Sequence, residues 1–156
     1  MHSTFNRLGA MTLTLGTALA LGACGGDPVA NEEEHVDPIG IVVVSGSVDI
    51  VSVTGLNIVG AFSVEESGQT DPLGVQFVDD RGNRFVPDEP DEWLRVTVTH
   101  PDLAQWVPDT PGGWTGSIRG LQAGTTTVRF ELMHGVVNSE ASHPDFGTPG
   151  IPVVVN

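Results

Sequence analysis

Residues 39–156 predict an all-β fold, a sandwich of about seven to eight short strands. Three observations lead there. Apolar residues recur at every second position in several runs, the period of a strand with one buried face. Turn-forming residues separate these runs at short intervals, the spacing of a two-sheet β fold. No stretch beyond the amino-terminal segments keeps a helical period over about ten residues.

The first element is the continuous β-branched run Ile41-Val42-Val43-Val44. Ser45-Gly46-Ser47 is a turn, and Val48 to Val53 follows as the second strand. Leu56 to Val64 is the third candidate. Leu73, Val75 and Phe77 then alternate with Gly74, Gln76 and Val78. Leu94, Val96 and Val98 alternate with Arg95, Thr97 and Thr99. A short run from Thr115 to Arg119 is centred on Ile118. Thr126, Val128, Phe130 and Leu132 alternate with Thr127, Arg129 and Glu131, and Ile151 to Val155 forms the last strand. Two long connections stand out, an acidic one over residues 79–92 and a second over 134–150. Long loops in compact domains are often functional.

Several of these segments resemble a bacterial Ig-like domain of the group 2 class. Gly68-Gln69-Thr70 followed by Leu73-x-Val75-x-Phe77-x-Asp79 looks like its second strand, with Gly82-Asn83 as the next turn. Leu94-x-Val96-x-Val98 with Pro101-Asp102-Leu103-Ala104 resembles its middle strands. The most distinctive stretch is Ser117 to Val128, where Gly120-Leu121-Gln122-Ala123-Gly124-Thr125 matches a tight corner between two late strands. The resemblance implies an Ig-like β-sandwich. It also implies positive φ at Gly120 and Gly124, a conformation open mainly to glycine.

The first 23 residues read as a targeting segment rather than part of the fold. Met1 to Arg7 is short and carries one positive charge, and Leu8 to Ala23 is apolar or small throughout. About 16 residues is short of the roughly 20 that a membrane-spanning helix needs. The segment ends Leu21-Gly22-Ala23-Cys24, which resembles the lipobox of bacterial lipoproteins. That resemblance implies cleavage before Cys24 and lipidation of its sulfur and new amine. Acyl chains burying about 0.8 kcal/mol per CH₂ make a lasting anchor. Residues 24–38 then form a linker with Gly25-Gly26, two prolines and Glu32-Glu33-Glu34, and no apolar period to bury. The expected location is the cell envelope, and Gly25 in place of Asp favours the outer membrane of a diderm host.

Cys24 is the only cysteine, so no intrachain disulfide forms. The chain holds 20 acidic residues and no lysine, and the part after residue 23 has five arginines, a formal charge of −15. Such a field repels phosphate backbones, which excludes nucleic acid as a partner and favours cations or basic surfaces. Without lysine there is neither a Schiff base nor a Walker-type phosphate loop. No Gly-x-Ser-x-Gly motif or usable thiol is present, so the expected protein is not an enzyme. Trp93, Trp106 and Trp114 lie near strand ends, where core or edge packing is the usual role and sugar stacking the alternative.

Four histidines follow the targeting segment: His35, His100, His134 and His143. In an Ig-like sandwich the approach to the first strand, the acidic connection and the last hairpin share one end. His35, His134, His143 and Asp145 would then converge with the acidic-loop residues Asp79, Asp80, Asp88, Glu89, Asp91 and Glu92, while His100 points to the other end. Imidazole with carboxylate suits zinc, copper(II) or nickel, and carboxylates alone suit calcium, so zinc or copper is expected ahead of calcium. A blue-copper centre is excluded because it needs a free thiolate. Asp79-Asp80-Arg81-Gly82-Asn83 reads as a turn rather than a calcium loop. The leading expectation is thus a lipid-tethered Ig-like module that binds an envelope protein or glycan, and the alternative is an accessory lipoprotein that binds a metal ion.

Overall fold

The computed structural model describes residues 37–156. The targeting segment 1–23, Cys24, most of the linker and His35 lie outside the described residues. Among the described residues there are twelve strands and no helix. In chain order they are β1 (Gly40–Ser45), β2 (Val48–Thr54), β3 (Asn57–Gly60), β4 (Phe62–Val64), β5 (Leu73–Val78) and β6 (Arg84–Phe85), then β7 (Glu92–Val98), β8 (Ala104–Pro108), β9 (Thr115–Gly120), β10 (Gly124–His134), β11 (His143–Gly147) and β12 (Ile151–Val155).

Two sheets face each other. The first runs β3-β2-β1-β5-β9-β8, with β6 also paired to β5. The second runs β11-β10-β12-β4, with β7 paired to β10. Strand β10 is its backbone: β7 takes one edge over Val128 to His134, while β12 and then β11 share the other. β4 joins β12 in parallel. The two-sheet, all-β expectation therefore holds, with more and shorter strands than eight.

The alternation does what its period requires. Leu73, Val75 and Phe77 of the first sheet, and Val128, Phe130 and Leu132 of the second, point into one continuous core with Ile41, Val43, Ile118 and Ile151. Phe130 is fully buried, with its ring 5.6 Å from Trp106 in an edge-to-face contact and 6.2 Å from Phe62. Phe77 meets Trp114 edge-to-face at 5.6 Å. Aromatic pairs of this kind add about 0.5–1.5 kcal/mol beyond their area. Trp93 is buried on the outer face of β7, directly opposite Met133, so all three tryptophans serve packing.

Outside the core, Glu131 is buried on the outer face of β10. It accepts a 2.7 Å bond from Arg95 on β7, with Arg129 at 3.5 Å.

Three expectations need correction. Leu56 to Val64 is not one strand: at Gly60 (φ 92°) and Ala61 the chain leaves β3 in the first sheet and enters β4 in the second. A side chain at Gly60 would strike the Ile50 carbonyl, so the ladder closes only over glycine. The supposed loop over 134–150 contains strand β11, and that over 79–92 contains β6. The corner between β9 and β10 is present and carries the chain from one sheet to the other, and the Leu103 carbonyl accepts from the Leu121 and Gln122 amides. Only Gly124 there has positive φ, at 154°. Gly120 lies in regular strand geometry, and its requirement is space: a Cβ would collide with the Glu65 carbonyl.

Candidate functional site

The β10–β11 hairpin sets two imidazoles side by side. His134 closes β10, His143 opens β11, and the two are direct cross-strand partners. Opposed residues of an antiparallel pair share a face of the sheet with Cβ atoms about 4.5–5.5 Å apart. The rings follow, with centroids 5.5 Å apart and planes inclined by 44°. The register shifts between Leu132 and Met133, so Asp145 is the extra residue on the β11 side. Such bulges re-aim a side chain. Here the Asp145 carboxylate reaches both rings, with Oδ1 3.4 Å from His143 Nε2 and Oδ2 3.7 Å from His134 Nδ1.

A second carboxylate arrives from the neighbouring strand. Asp91 immediately precedes β7, and its carbonyl accepts the Gly135 amide at 2.8 Å, which pins the β7 entry to the end of β10. The His134 Nε2–H donates to Asp91 Oδ2 at 2.6 Å. This bond, then the charges of Asp91, Asp145 and Glu89, hold the His134 imidazole above its ordinary 6.5. His143 is the most open member, its side chain 65% exposed against 37% for His134 and 18% for Asp145. The hairpin loop is braced by its own bonds, from Ser142 Oγ to the Val136 carbonyl and from the Ser139 amide to the same acceptor.

The remaining expected site residues lie elsewhere. Asp79 is engaged in its turn: its Oδ1 accepts from the Arg81 and Asn83 amides, and Oδ2 from the Asn83 side chain. Those bonds, led by the Asn83 side chain, hold its carboxyl below the ordinary value. Gly82 supplies the positive φ of 82° that this turn needs. Asp80 and Asp88 are exposed. Glu92 begins β7 opposite His134. His100 follows the far end of β7, away from Asp91. The acidic connection thus sends Asp91 to the histidines and Glu89 close to them, while Asp79 stays in its own turn. His134 and His143 stand on paired strands, a correction to their expected place in a loop.

Three donors, His134, His143 and Asp145, each present one ligand atom within 4.8 Å of the others. A separate shallow cleft is lined by Ser45, Ile50, Phe62, Ser63, Thr70, Asp71 and Leu73, and Asp71 is its one ionisable side chain.

No protein-family model matches the chain. No curated protein sequence matches it either. Among solved structures, the chain is similar to domains 4 and 5 of the S-layer protein SbsC, at 20% identity over 61% of this chain and 40% of that one, with a TM-score of 0.41. It is also similar to the structure of SbsC domains 1–6, at 18% identity over 76% of this chain and 13% of that one, with a TM-score of 0.43. The chain therefore spans less than two thirds of either matched structure.

Proposed function

We propose that this chain is a lipid-tethered, extracytoplasmic β-sandwich module that presents a binding or structural surface in the cell envelope and performs no catalysis. The observation that carries this reading is Leu21-Gly22-Ala23-Cys24, placed directly after an uncharged apolar run and before linker-type sequence. The fold supports it. The inward-facing apolar side chains of both sheets are committed to one core, and the charged groups sit on strand edges, outer faces and turns. A rigid scaffold with variable connections is the form in which such modules present partner-binding surfaces. Its partner is an envelope protein or glycan, and in a diderm host Gly25 directs it to the outer membrane.

Fractionation tests this reading. The wild-type chain, expressed in a bacterium, is expected in the membrane fraction with acyl chains on Cys24. Cys24→Ser is expected unacylated and in the soluble extracytoplasmic fraction. Gly25→Asp should shift the protein from outer to inner membrane. Equal distribution of wild type and Cys24→Ser, with an unmodified thiol in the former, would overturn the reading.

A further inference from the structure

We propose that His134, His143 and Asp145 bind a divalent transition-metal ion of the zinc class at the end of the β10–β11 hairpin, with Asp91 as the outer carboxylate that orients His134. This inference stands independently of the lipid anchor, because it rests only on the folded domain.

The donor set is the first argument. Two imidazole nitrogens and one carboxylate oxygen suit zinc and copper(II), whereas calcium takes six to eight oxygens, which this site does not gather. The three ligand atoms lie within 4.8 Å of one another. Zinc bonds of roughly 2.0–2.2 Å set neighbouring tetrahedral donors roughly 3.3–3.6 Å apart. The widest donor pair therefore needs to contract by at most about 1.2–1.5 Å on binding. His143, with most of its ring in solvent, has the rotamer freedom to supply that movement.

Orientation is the second argument. A carboxylate accepts hydrogen bonds and cannot donate them, so the 2.6 Å contact fixes the proton of His134 on Nε2. In the neutral ring the other nitrogen, Nδ1, carries the lone pair and lies 3.7 Å from Asp145 Oδ2. A lone pair facing a carboxylate is repulsive until a cation lies between them. Carboxylate to histidine to metal is the arrangement by which outer residues fix the tautomer of a ligating imidazole.

The third argument is that the backbone holds these groups in place. Cross-strand pairing sets His134 against His143, the bulge aims Asp145, and the Gly135 amide on the Asp91 carbonyl ties in the fourth group. Glu89 adds negative charge close by, and the strongly acidic chain draws cations toward the surface. Three protein donors leave a fourth position open to water or to a donor from another molecule. The ion held here is exchangeable, suited to capture or bridging rather than to holding the fold together.

The test is a titration of zinc chloride into the full-length chain in detergent micelles near neutral pH, followed by calorimetry and by imidazole NMR. One zinc per chain is expected, with Kd at or below about 10 µM. His143→Ala and Asp145→Asn should each weaken binding at least about tenfold, and Asp91→Asn by about tenfold as an outer-shell change. His100→Ala should bind like wild type. Zinc should shift the imidazole signals of His134 and His143 and leave those of His100 in place, a readout on the wild-type chain that survives any variant that fails to fold. Absence of binding tighter than about 1 mM, wild-type affinity in both His143→Ala and Asp145→Asn, or equal displacement by calcium would overturn the proposal.

Discussion

His134 Nε2 and Asp91 Oδ2 lie 2.6 Å apart although 43 positions separate them in the chain. The pair joins the end of β10 to the entry of β7, next to the Gly135–Asp91 backbone bond. It is half-exposed, so its effect on stability is small, but its effect on the proton at His134 is readable.

In the metal-free protein the Asp91 hydrogen bond and the carboxylates of Asp91, Asp145 and Glu89 raise the affinity of His134 for its second proton. Asp91→Asn should move the His134 titration midpoint down toward 6.5 in a pH series of imidazole spectra. Because the folded value lies above the unfolded one, the associated stability is complete below 6.5 and disappears as pH rises through the folded value. In Asp91→Asn most of that pH dependence should be gone. An unchanged His134 midpoint would show that Asp91 does not hold the ring.

Two surface carboxylates work in the opposite direction. The Arg84 guanidinium donates two bonds to Asp49, at 2.8 and 2.7 Å, and holds its carboxyl below 3.8. Asp79 is lowered by its bonds to Asn83 and Arg81. For groups depressed in the folded state, the stability is present above 3.8 and lost as pH falls through the folded values. Urea midpoints measured downward from pH 5 should fall less steeply in the Asp49→Asn, Asp79→Asn double variant than in wild type.

Glycine serves two different needs, and substitution separates them. Gly46 turns between β1 and β2 at φ 58° with open space where a side chain would go. Gly46→Ala should cost about 1–2 kcal/mol, and Gly46→Asn less, because Asn tolerates the left-handed region. Gly120 has ordinary strand φ but lies against the Glu65 carbonyl. Both Gly120→Ala and Gly120→Asn should cost about 1–3 kcal/mol as overpacking. Chemical denaturation of the four variants checks the contrast.

Glu131 is buried beside two arginines of unequal reach. Arg95 donates to it at 2.7 Å, whereas Arg129 stands at 3.5 Å and is more exposed. Arg95→Met should therefore destabilise by about 1 kcal/mol, discounted for solvent access to the guanidinium. Arg129→Met should be close to neutral. Equal losses in the two variants would mean that Glu131 is shared evenly.

The sandwich was legible wherever a strand has one face in the core. Alternation in Leu73 to Val78, Leu94 to Val98 and Thr126 to Leu132 marks β5, β7 and β10 because inward positions must be apolar. The strands that escaped are those whose pairing is set by neighbours. His143-Pro144-Asp145-Phe146-Gly147 carries a proline and a glycine and reads as loop. It forms β11 at a sheet edge, paired only to β10, where a missing amide is tolerated. β6 is two residues long and β8 ends on a proline. The histidine pair was half legible. Composition and loop placement brought His134, His143 and Asp145 to one end, but their opposition depends on a register that the bulge shifts by one residue. Nothing in the residue types separates Asp91 from the acids beside it. Its selection comes from the backbone bond to Gly135, which no local pattern encodes.

Strand β1 is hydrogen-bonded along all of Gly40 to Ser45 on both sides, to β2 and to β5. Any pull arriving through the residues that precede Gly40 therefore loads two ladders at once instead of one. Under such a load the domain would be held by a strand paired on both sides rather than by one at a sheet edge.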